Sequence, residues 1–228
     1  EYYGAWVSSP NWVHGSLAAV RHLKTRPQGG ALINVGSING DISAPLLGAY
    51  NASKHAVKGF TNSLRVELMH EDAPVSVTLI KPSAIGTPFP QHGRNVTGAR
   101  ARLPAPIYSP ELVADAICFA AQHPRRAITV GGAGRLQVAA ATLTPSLFDR
   151  IASRMGDQLV ERDIPTTFEE GNLYEPTGDD PHRAGRQHGR RFSLYTAAKT
   201  HPGAPAAALA VGGLGLAAWL LRRPLSRH

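Results

Sequence analysis

The chain has 228 residues, of which 43% are hydrophobic and 18% are charged, and its formal net charge is +8. This composition excludes a wholly disordered protein and predicts one domain with a buried core, followed by a tail. Cys118 is the single cysteine, which excludes an intramolecular disulfide, so we expect a reducing compartment such as the cytoplasm. Its apolar helical surroundings indicate a small core residue rather than a nucleophile.

The excess positive charge is concentrated in the last fifth of the chain. We therefore expect a solvated basic tail rather than a nucleic-acid-binding surface, since few aromatic residues are interleaved with the charges. The basic residues concerned are Arg183, Arg186, Arg190, Arg191, Lys199, Arg222, Arg223 and Arg227. The ten histidines have no ligand-like spacing, and we predict no metal site.

Hydrophobic periodicity predicts the elements in chain order. After an irregular aromatic start, a helix is expected over 15–23, a strand over 31–36, a long helix over 46–70 and a strand over 75–80. Ser109 followed by Pro110 and Glu111 predicts an N-capped helix that runs to about residue 122. A short strand over 127–130 and a helix from the glycines at 131–134 to about residue 155 complete the series.

Strands and helices thus alternate, which is typical of an α/β fold with a parallel sheet of three strands. In a Rossmann-like, doubly wound fold these strands would form the second half of the sheet. The first half, which binds the dinucleotide phosphates, would precede them in the sequence. We expect that N-terminal half to be missing from these residues, since no glycine-rich turn follows an early strand.

Tyr50 and Lys54 are four residues apart within the predicted long helix, and Ser37 follows the apolar run 31–36. Residues four apart share a helix face, so the phenol and the ammonium group are expected side by side. A neighbouring positive charge favours the phenolate, so we expect Lys54 to lower the pKa of Tyr50. That change would suit Tyr50 to proton transfer near neutral pH.

Ser37, Tyr50 and Lys54, with Ala52 and Ser53 inside the YxxxK motif, resemble the catalytic Ser, Tyr and Lys of the short-chain dehydrogenase/reductase family. The resemblance implies an oxidoreductase that uses NAD or NADP and moves a hydride between the nicotinamide and a carbonyl or secondary alcohol of a small molecule. It also implies that Ser37 binds the carbonyl oxygen, Tyr50 transfers the proton and Lys54 holds the nicotinamide ribose.

The resemblance continues through the β-rich run 75–80 into the segment 81–88. In the family, the loop at this point covers the nicotinamide. By that match Pro82 shapes the loop, Ile85 offers backbone groups to the carboxamide and Thr87 adds a hydroxyl contact. Residues 89–108 fall where the family places its substrate lid. Three arginines in this segment could bind an anionic substrate or could be ordinary charges that face the solvent, and both interpretations stay open.

Two features depart from the family pattern or imitate another motif. Many members carry an asparagine in the helix before the Ser-bearing strand. The nearest asparagine in this chain is Asn11, but Ser8 lies nearer the position at which the family places it. Gly132 and Gly134 follow a strand as in a dinucleotide fingerprint, but Gln137 occupies the third glycine position, so we interpret this segment as a turn.

The remaining sequence divides into a partial catalytic domain over 1–156, a polar extended arm over 157–203 and an apolar C-terminal helix with a basic end over 204–228. Residues 204–221 are uncharged and only marginally long enough to span a bilayer. Membrane association through 204–221 and packing of this helix on a partner both stay open.

Three functions remain in consideration. The first is the NAD(P)-dependent oxidoreductase, and the second is an inactive, truncated remnant that retains the dimerising helices of the fold. The third is a tail-anchored membrane protein. Because family dimers often pair the helix that bears Tyr and Lys, we also expect a homo-oligomer through 46–70, with core packing as the alternative.

Overall fold

The computed structural model of the protein describes residues 11–165 and 185–200. Its helices and strands alternate along most of the chain and are numbered here in order. They are α1 Asn11–Lys24, β1 Gly30–Val35, α2 Gly48–His70, β2 Val75–Pro82, α3 Phe89–His92, β3 Ala99–Ala101, α4 Pro110–Gln122, β4 Ala127–Val130, α5 Gly132–Leu143, α6 Pro145–Ala152, β5 Val160–Pro165 and α7 Leu194–Thr200. Short 3-10 turns occupy Ile38–Gly40 and Ser153–Leu159.

The central sheet is parallel and has the strand order β1-β2-β4. Gly30 pairs with Val75 and Val35 with Ile80, while Leu79 begins the pairing of β2 with Ala127 of β4. The predicted Rossmann-like α/β arrangement of three parallel strands is therefore confirmed. Among the described residues β1 has a neighbouring strand on one side only.

Helices cover both faces of this sheet. On one face, Val20 of α1 and Leu64 and Leu68 of α2 pack against Val77 of β2. The opposite face is covered by α4, whose residues Ala116 and Ala120 are fully buried against Ile80, Ile128 and Val130. Small side chains on α4 let the helix approach the strands closely, and β2 is buried on both faces, as expected for the central strand of a parallel sheet.

A second sheet of two antiparallel strands, β3 and β5, was not predicted. Ala101 of β3 pairs with Val160 of β5, which brings together two segments that are far apart in the sequence. The expected helix over 132–155 is also wrong in its length. It ends at Leu143, and Pro145 begins a separate helix, because proline fits the first turn of a helix but not its interior.

Two side-chain expectations are wrong. Cys118 is exposed, because the buried stripe of α4 runs through Ala116 and Ala120 and leaves Cys118 on the opposite face. Ser109 precedes α4 with extended backbone angles but its side chain makes no capping hydrogen bond, and its buried Oγ has no partner among the described residues. Ser193 does act as a cap, since its Oγ accepts the backbone N–H of Thr196 in α7 at 3.3 Å.

Of the range 157–203, the described parts lie against the rest of the domain. Residues 160–165 form β5, and α7 contacts α4 and β4. The division of the chain at residue 157 and the oligomer through α2 stay predictions. The expected apolar helix over 204–228 lies outside the described residues, and within 11–165 and 185–200 no helix is both long and apolar enough to cross a membrane.

Candidate active site

Ser37 lies just beyond the carboxyl end of β1, where the chain turns towards α2. Its side chain is 6% exposed, and its Oγ accepts the backbone N–H of Asn39 at 3.1 Å. This hydrogen bond makes Ser37 the cap of the short turn over Ile38–Gly40. The carboxyl ends of parallel strands are where α/β sheets carry their ligands, so Ser37 is placed at the chemically useful edge.

Tyr50 and Lys54 are carried by the first turns of α2, as the helical spacing predicts. Lys54 Nζ lies 5.6 Å from the centroid of the Tyr50 ring, and the Tyr50 hydroxyl is hydrogen-bonded to Ser37. The three side chains therefore meet across the gap between the end of β1 and the start of α2.

All three side chains line one cavity of about 580 Å³. Pro82, Ile85 and Thr87 line the same cavity, so the six residues singled out from the sequence are brought together. A volume of this size is within the range of small-molecule and cofactor sites, which is roughly 300–1,000 Å³. The roles of the six residues are proposals that the geometry permits.

The charge state of the site differs from the sequence-based expectation. Burial raises the pKa of Tyr50 above its ordinary value, and the hydrogen bond from Ser37 only partly opposes this effect. Burial also lowers the pKa of Lys54. Our expectation that Lys54 lowers the pKa of Tyr50 is thus wrong for the protein alone, because loss of hydration dominates both groups.

The loop after β2 has its backbone hydrogen bonds made within the protein. The carbonyl of Ile85 accepts the N–H of Thr87 at 2.8 Å, and Gly86 donates to the carbonyl of Tyr108 at 2.9 Å. Tyr108 in turn donates to the carbonyl of Ala84 at 2.8 Å. The loop is therefore held in one position along the cavity by its pairing with residues before α4.

A segment from the predicted arm also fixes this loop. We call residues 185–190 the strap. Gly185 N donates to the carbonyl of Gly86 at 2.9 Å, and Arg190 N donates to the carbonyl of Ile107 at 2.8 Å. A Cβ on Gly185 would lie 2.3 Å from the carbonyl oxygen of Thr87, so only glycine permits this approach. The sequence signal for the strap was the Gly185 to Gly189 spacing inside a stretch that we interpreted as extended.

Two asparagines that the sequence interpretation missed connect Ser37 to α2. Asn39 Nδ2 donates to Asn51 Oδ1 at 2.7 Å, and Asn51 Nδ2 donates to the carbonyl of Ala44 at 2.9 Å. Asn51 is 6% exposed. A buried asparagine beside Tyr50 was the available signal, since asparagine is unfavourable inside a helix without a specific partner.

The glycines after β4 do not form a phosphate cradle. A Cβ on Gly134 would lie 2.6 Å from Ser83 Cβ and 3.0 Å from Ile38, so this glycine serves close packing of α5. The interpretation of 131–134 as a turn is wrong for residues 132–134, which form the first turn of α5, and only Gly131 precedes the helix. Asn11 is exposed at the start of α1, and Ser8 lies outside the described residues.

Comparison with known proteins adds to this geometry. Residues 9–95 match the family model described as short chain dehydrogenase. A Bacillus subtilis (strain 168) protein named "Uncharacterized oxidoreductase YxnA" is 38% identical over 210 residues, which are 91% of this chain and 58% of that protein. The NADP-dependent (R)-specific alcohol dehydrogenase of Lentilactobacillus kefiri is 36% identical over 75 residues, which are 33% of this chain and 30% of that protein.

Among solved structures, a short chain dehydrogenase from Burkholderia cenocepacia J2315, in complex with NADP, superposes with a TM-score of 0.53 at 22% identity. The superposition covers 64% of this chain and 56% of that chain, and it shows a shared fold. The chain thus spans a little more than half the length of its Bacillus subtilis relative. The family-model match over residues 9–95 and the relative that aligns with nine-tenths of the sequence both support a protein of the short-chain dehydrogenase/reductase family.

Proposed function

We propose that the protein is an oxidoreductase that uses NAD or NADP to interconvert a carbonyl and a secondary alcohol on a small molecule. The observation that carries the proposal is the meeting of Ser37, Tyr50 and Lys54 in one cavity that also contains the loop after β2. The family relationship supports the same chemistry. The alternatives of an inactive remnant and a membrane anchor have no support among the described residues.

The residues present fit the nicotinamide end of a dinucleotide. Lys54 Nζ makes no hydrogen bond or ion pair with the described residues, so its donors are available for ribose hydroxyls, and Pro82, Ile85 and Thr87 line the adjacent wall. When bound, the nicotinamide supplies or accepts the hydride. The described residues include no turn that would hold the phosphates. The residues named here therefore concern only the nicotinamide end of the dinucleotide.

In the direction of reduction, Ser37 Oγ donates a hydrogen bond to the carbonyl oxygen of the substrate and stabilises the charge that develops there. The Tyr50 hydroxyl then transfers its proton to that oxygen. The raised pKa of Tyr50 keeps the phenol protonated at neutral pH, which suits it to act as the acid. In oxidation Tyr50 acts as the base, and the positive charge of Lys54 stabilises the phenolate that accepts the proton.

The test is a comparison of wild type with Tyr50→Phe in the protein expressed from its complete reading frame. We expect turnover to fall by about 10²- to 10⁴-fold, because the proton donor is lost while the ring remains. Binding of NADH and NADPH, measured by fluorescence titration, should be retained. Tyr195→Phe is the matched control, because Tyr195 is a half-buried tyrosine on α7 that does not line the cavity. A Tyr50→Phe variant with the wild-type rate would contradict the proposal.

A titration of the 228-residue chain by itself tests whether these residues are enough to hold a dinucleotide. Since the described residues hold only the nicotinamide end, we expect this chain alone to bind either dinucleotide too weakly for turnover. Tight binding of NADH or NADPH by these residues would contradict that expectation.

A further inference from the structure

The cavity has a second wall that is made by segments distant from the catalytic triplet. This wall consists of residues 42–47 after the turn, residues 101–106 at and after β3, and five residues between α6 and β5, namely Phe148, Ala152, Met155, Leu159 and Val160. Phe148 packs with Ile38 and Ile42 in a small hydrophobic cluster, which ties α6 to the turn that follows Ser37. The second wall is thus continuous with the reactive end of the cavity.

The backbone of this wall is fixed by hydrogen bonds. Arg102 N donates to the carbonyl of Leu159 at 2.8 Å, extending the pairing of β3 with β5. The side chain of Gln187 in the strap accepts the N–H of Leu103 at 2.7 Å and donates to its carbonyl at 3.2 Å. The backbone groups in these bonds are engaged within the protein, so at Arg102 and Leu103 they are not available to a ligand.

Those side chains are overwhelmingly apolar. They include Leu47, Leu103, Phe148, Met155, Leu159 and Val160. Among the described residues, no Asp or Glu lines the cavity, which offers no counter-ion for a cationic ligand.

The three arginines of the expected lid contribute little to the cavity. Arg94 and Arg100 do not line it, and Arg100 instead lies 3.7 Å from Glu161 of β5. Arg102 lines the cavity but is exposed at its edge. An anionic substrate therefore has no buried cationic partner in the second wall.

We propose that the substrate is a carbonyl compound or secondary alcohol with a large, uncharged, apolar body that lies against the second wall. This inference rests on the proposed function for the reacting end and names the substrate class. Each methylene removed from water against such a wall improves binding by about fourfold. Specificity should therefore rise with the size of the apolar body until the wall is covered.

The test uses the protein from its complete reading frame with 2-butanone, 2-hexanone and 2-octanone as substrates and NADH or NADPH as reductant. We expect kcat/KM to rise about three- to fivefold for each added methylene. The keto acid 7-oxooctanoic acid, which has the same length as 2-octanone, should be reduced at least tenfold less efficiently. Equal efficiency across the three ketones, or a preference for the keto acid, would overturn the inference while leaving the proposed function intact.

The two methionines of the chain provide a matched pair of variants. Met155→Asn places an amide in the second wall and should lower kcat/KM for 2-octanone about tenfold while changing that for 2-butanone less than twofold. Met69→Asn is the control, because Met69 is 70% exposed on α2 and does not line the cavity. Equal effects of Met155→Asn on both ketones would count against the second wall as the binding surface.

Equilibrium binding separates this inference from the proposed function. Calorimetric titration of Tyr50→Phe with 2-octanone and 2-butanone should show tighter binding of the longer ketone, since the wall is unchanged. If no ketone is turned over by wild type but 2-octanone still binds more tightly, the proposed function fails and the apolar site stands. If ketones are turned over but bind with no dependence on length, the apolar site fails and the function stands.

Discussion

Asn39 Nδ2 donates a hydrogen bond to Asn51 Oδ1 at 2.7 Å, and this bond joins the turn that holds Ser37 to the helix that holds Tyr50. The backbone N–H of Asn39 also donates to Ser37 Oγ. Asn51 therefore sets the position of Ser37 relative to Tyr50 through one intermediate residue, and it acts as a positioning residue.

Asn51→Leu should lower kcat by at least tenfold with a change of less than threefold in KM, because a small displacement of Ser37 weakens its bond to the reacting oxygen. The variant should also lose about 1–2 kcal/mol of stability, since Asn39 and the carbonyl of Ala44 lose a buried partner. Asn62→Leu is the control, because Asn62 lies on the same helix, accepts from Arg65 and does not line the cavity. A proportional fall in kcat for both variants would contradict the positioning role.

The strap gives a second prediction. Gly185→Ala would place a Cβ against the backbone of Thr87, so we expect the strap to move away from the loop after β2 and the KM for the dinucleotide to rise about tenfold. Overpacking of this kind costs about 1–3 kcal/mol of stability.

Gly59→Ala is the matched control for the strap variant. No heavy atom lies within 4 Å of a Cβ at Gly59, which is exposed on α2. Alanine there should stabilise the protein by about 0.5–1 kcal/mol and leave the KM unchanged. Steady-state kinetics and thermal unfolding of the two variants check both expectations, and an unchanged KM for Gly185→Ala would refute the role of the strap.

We expect that Lys54 lowers the free energy of unfolding of the protein although it is needed for turnover. Burial lowers its pKa, so the folded state binds fewer protons at this site than the unfolded state does. The cost is present below the folded pKa and disappears as the pH rises past the unfolded value of about 10.4. Lys54→Met should therefore raise the free energy of unfolding by about 1 kcal/mol at pH 7, and by less near pH 10, while abolishing turnover.

Lys58→Met is the control for Lys54→Met, because it removes a lysine one turn further along α2. Lys58 Nζ lies 2.7 Å from Asp41 Oδ1 in an ion pair, so this variant should lose stability. Denaturant unfolding at both pH values measures the two differences. A loss of stability in both variants would show that Lys54 has a favourable partner in the protein.

Asp41 lies between two lysines and its side chain is 10% exposed, with Lys81 Nζ at 2.8 Å and Lys58 Nζ at 2.7 Å. Burial works to raise the pKa of Asp41, but the hydrogen bonds and charges of Lys58 and Lys81 outweigh it, so the pKa is lowered. The stabilisation is complete above the unfolded value of about 4 and is lost as the pH falls through the lower folded value.

Asp41→Asn should therefore cost about 2 kcal/mol at pH 7, because two lysines lose their shared carboxylate. The difference from wild type should shrink below about pH 4. Asp115→Asn, on the exposed face of α4, should change stability by less than about 0.5 kcal/mol at either pH. A constant difference between wild type and Asp41→Asn down to pH 3 would contradict this reasoning.

The parts of the fold that follow local rules could be predicted from the sequence. The strands β1, β2 and β4 and the helix α2 lie within two residues of their predicted ends, because buried apolar runs and helical periodicity are strong local signals. The spacing of Tyr50 and Lys54 on α2 likewise followed from helix geometry alone.

The rest depended on contacts between distant segments. β3 has only three residues, and its pairing with β5 has no local signature. The strap is held against the loop after β2 by backbone hydrogen bonds, and the pattern of side chains in the sequence does not predict such bonds. The direction in which the pKa of Tyr50 shifts could not be predicted from the sequence either. It depends on how much water the folded site excludes rather than on the spacing of Tyr50 and Lys54 along the helix.

The pairing of Ala101 with Val160 has a consequence for how the protein is made. The ribosome must synthesise the chain through β5 before β3 can find its partner, whereas β1, α2 and β2 are available for local assembly much earlier. The segments that carry the reactive triplet are therefore synthesised before the wall opposite them can close, and in a nascent chain stalled after β4 that wall would lack β5.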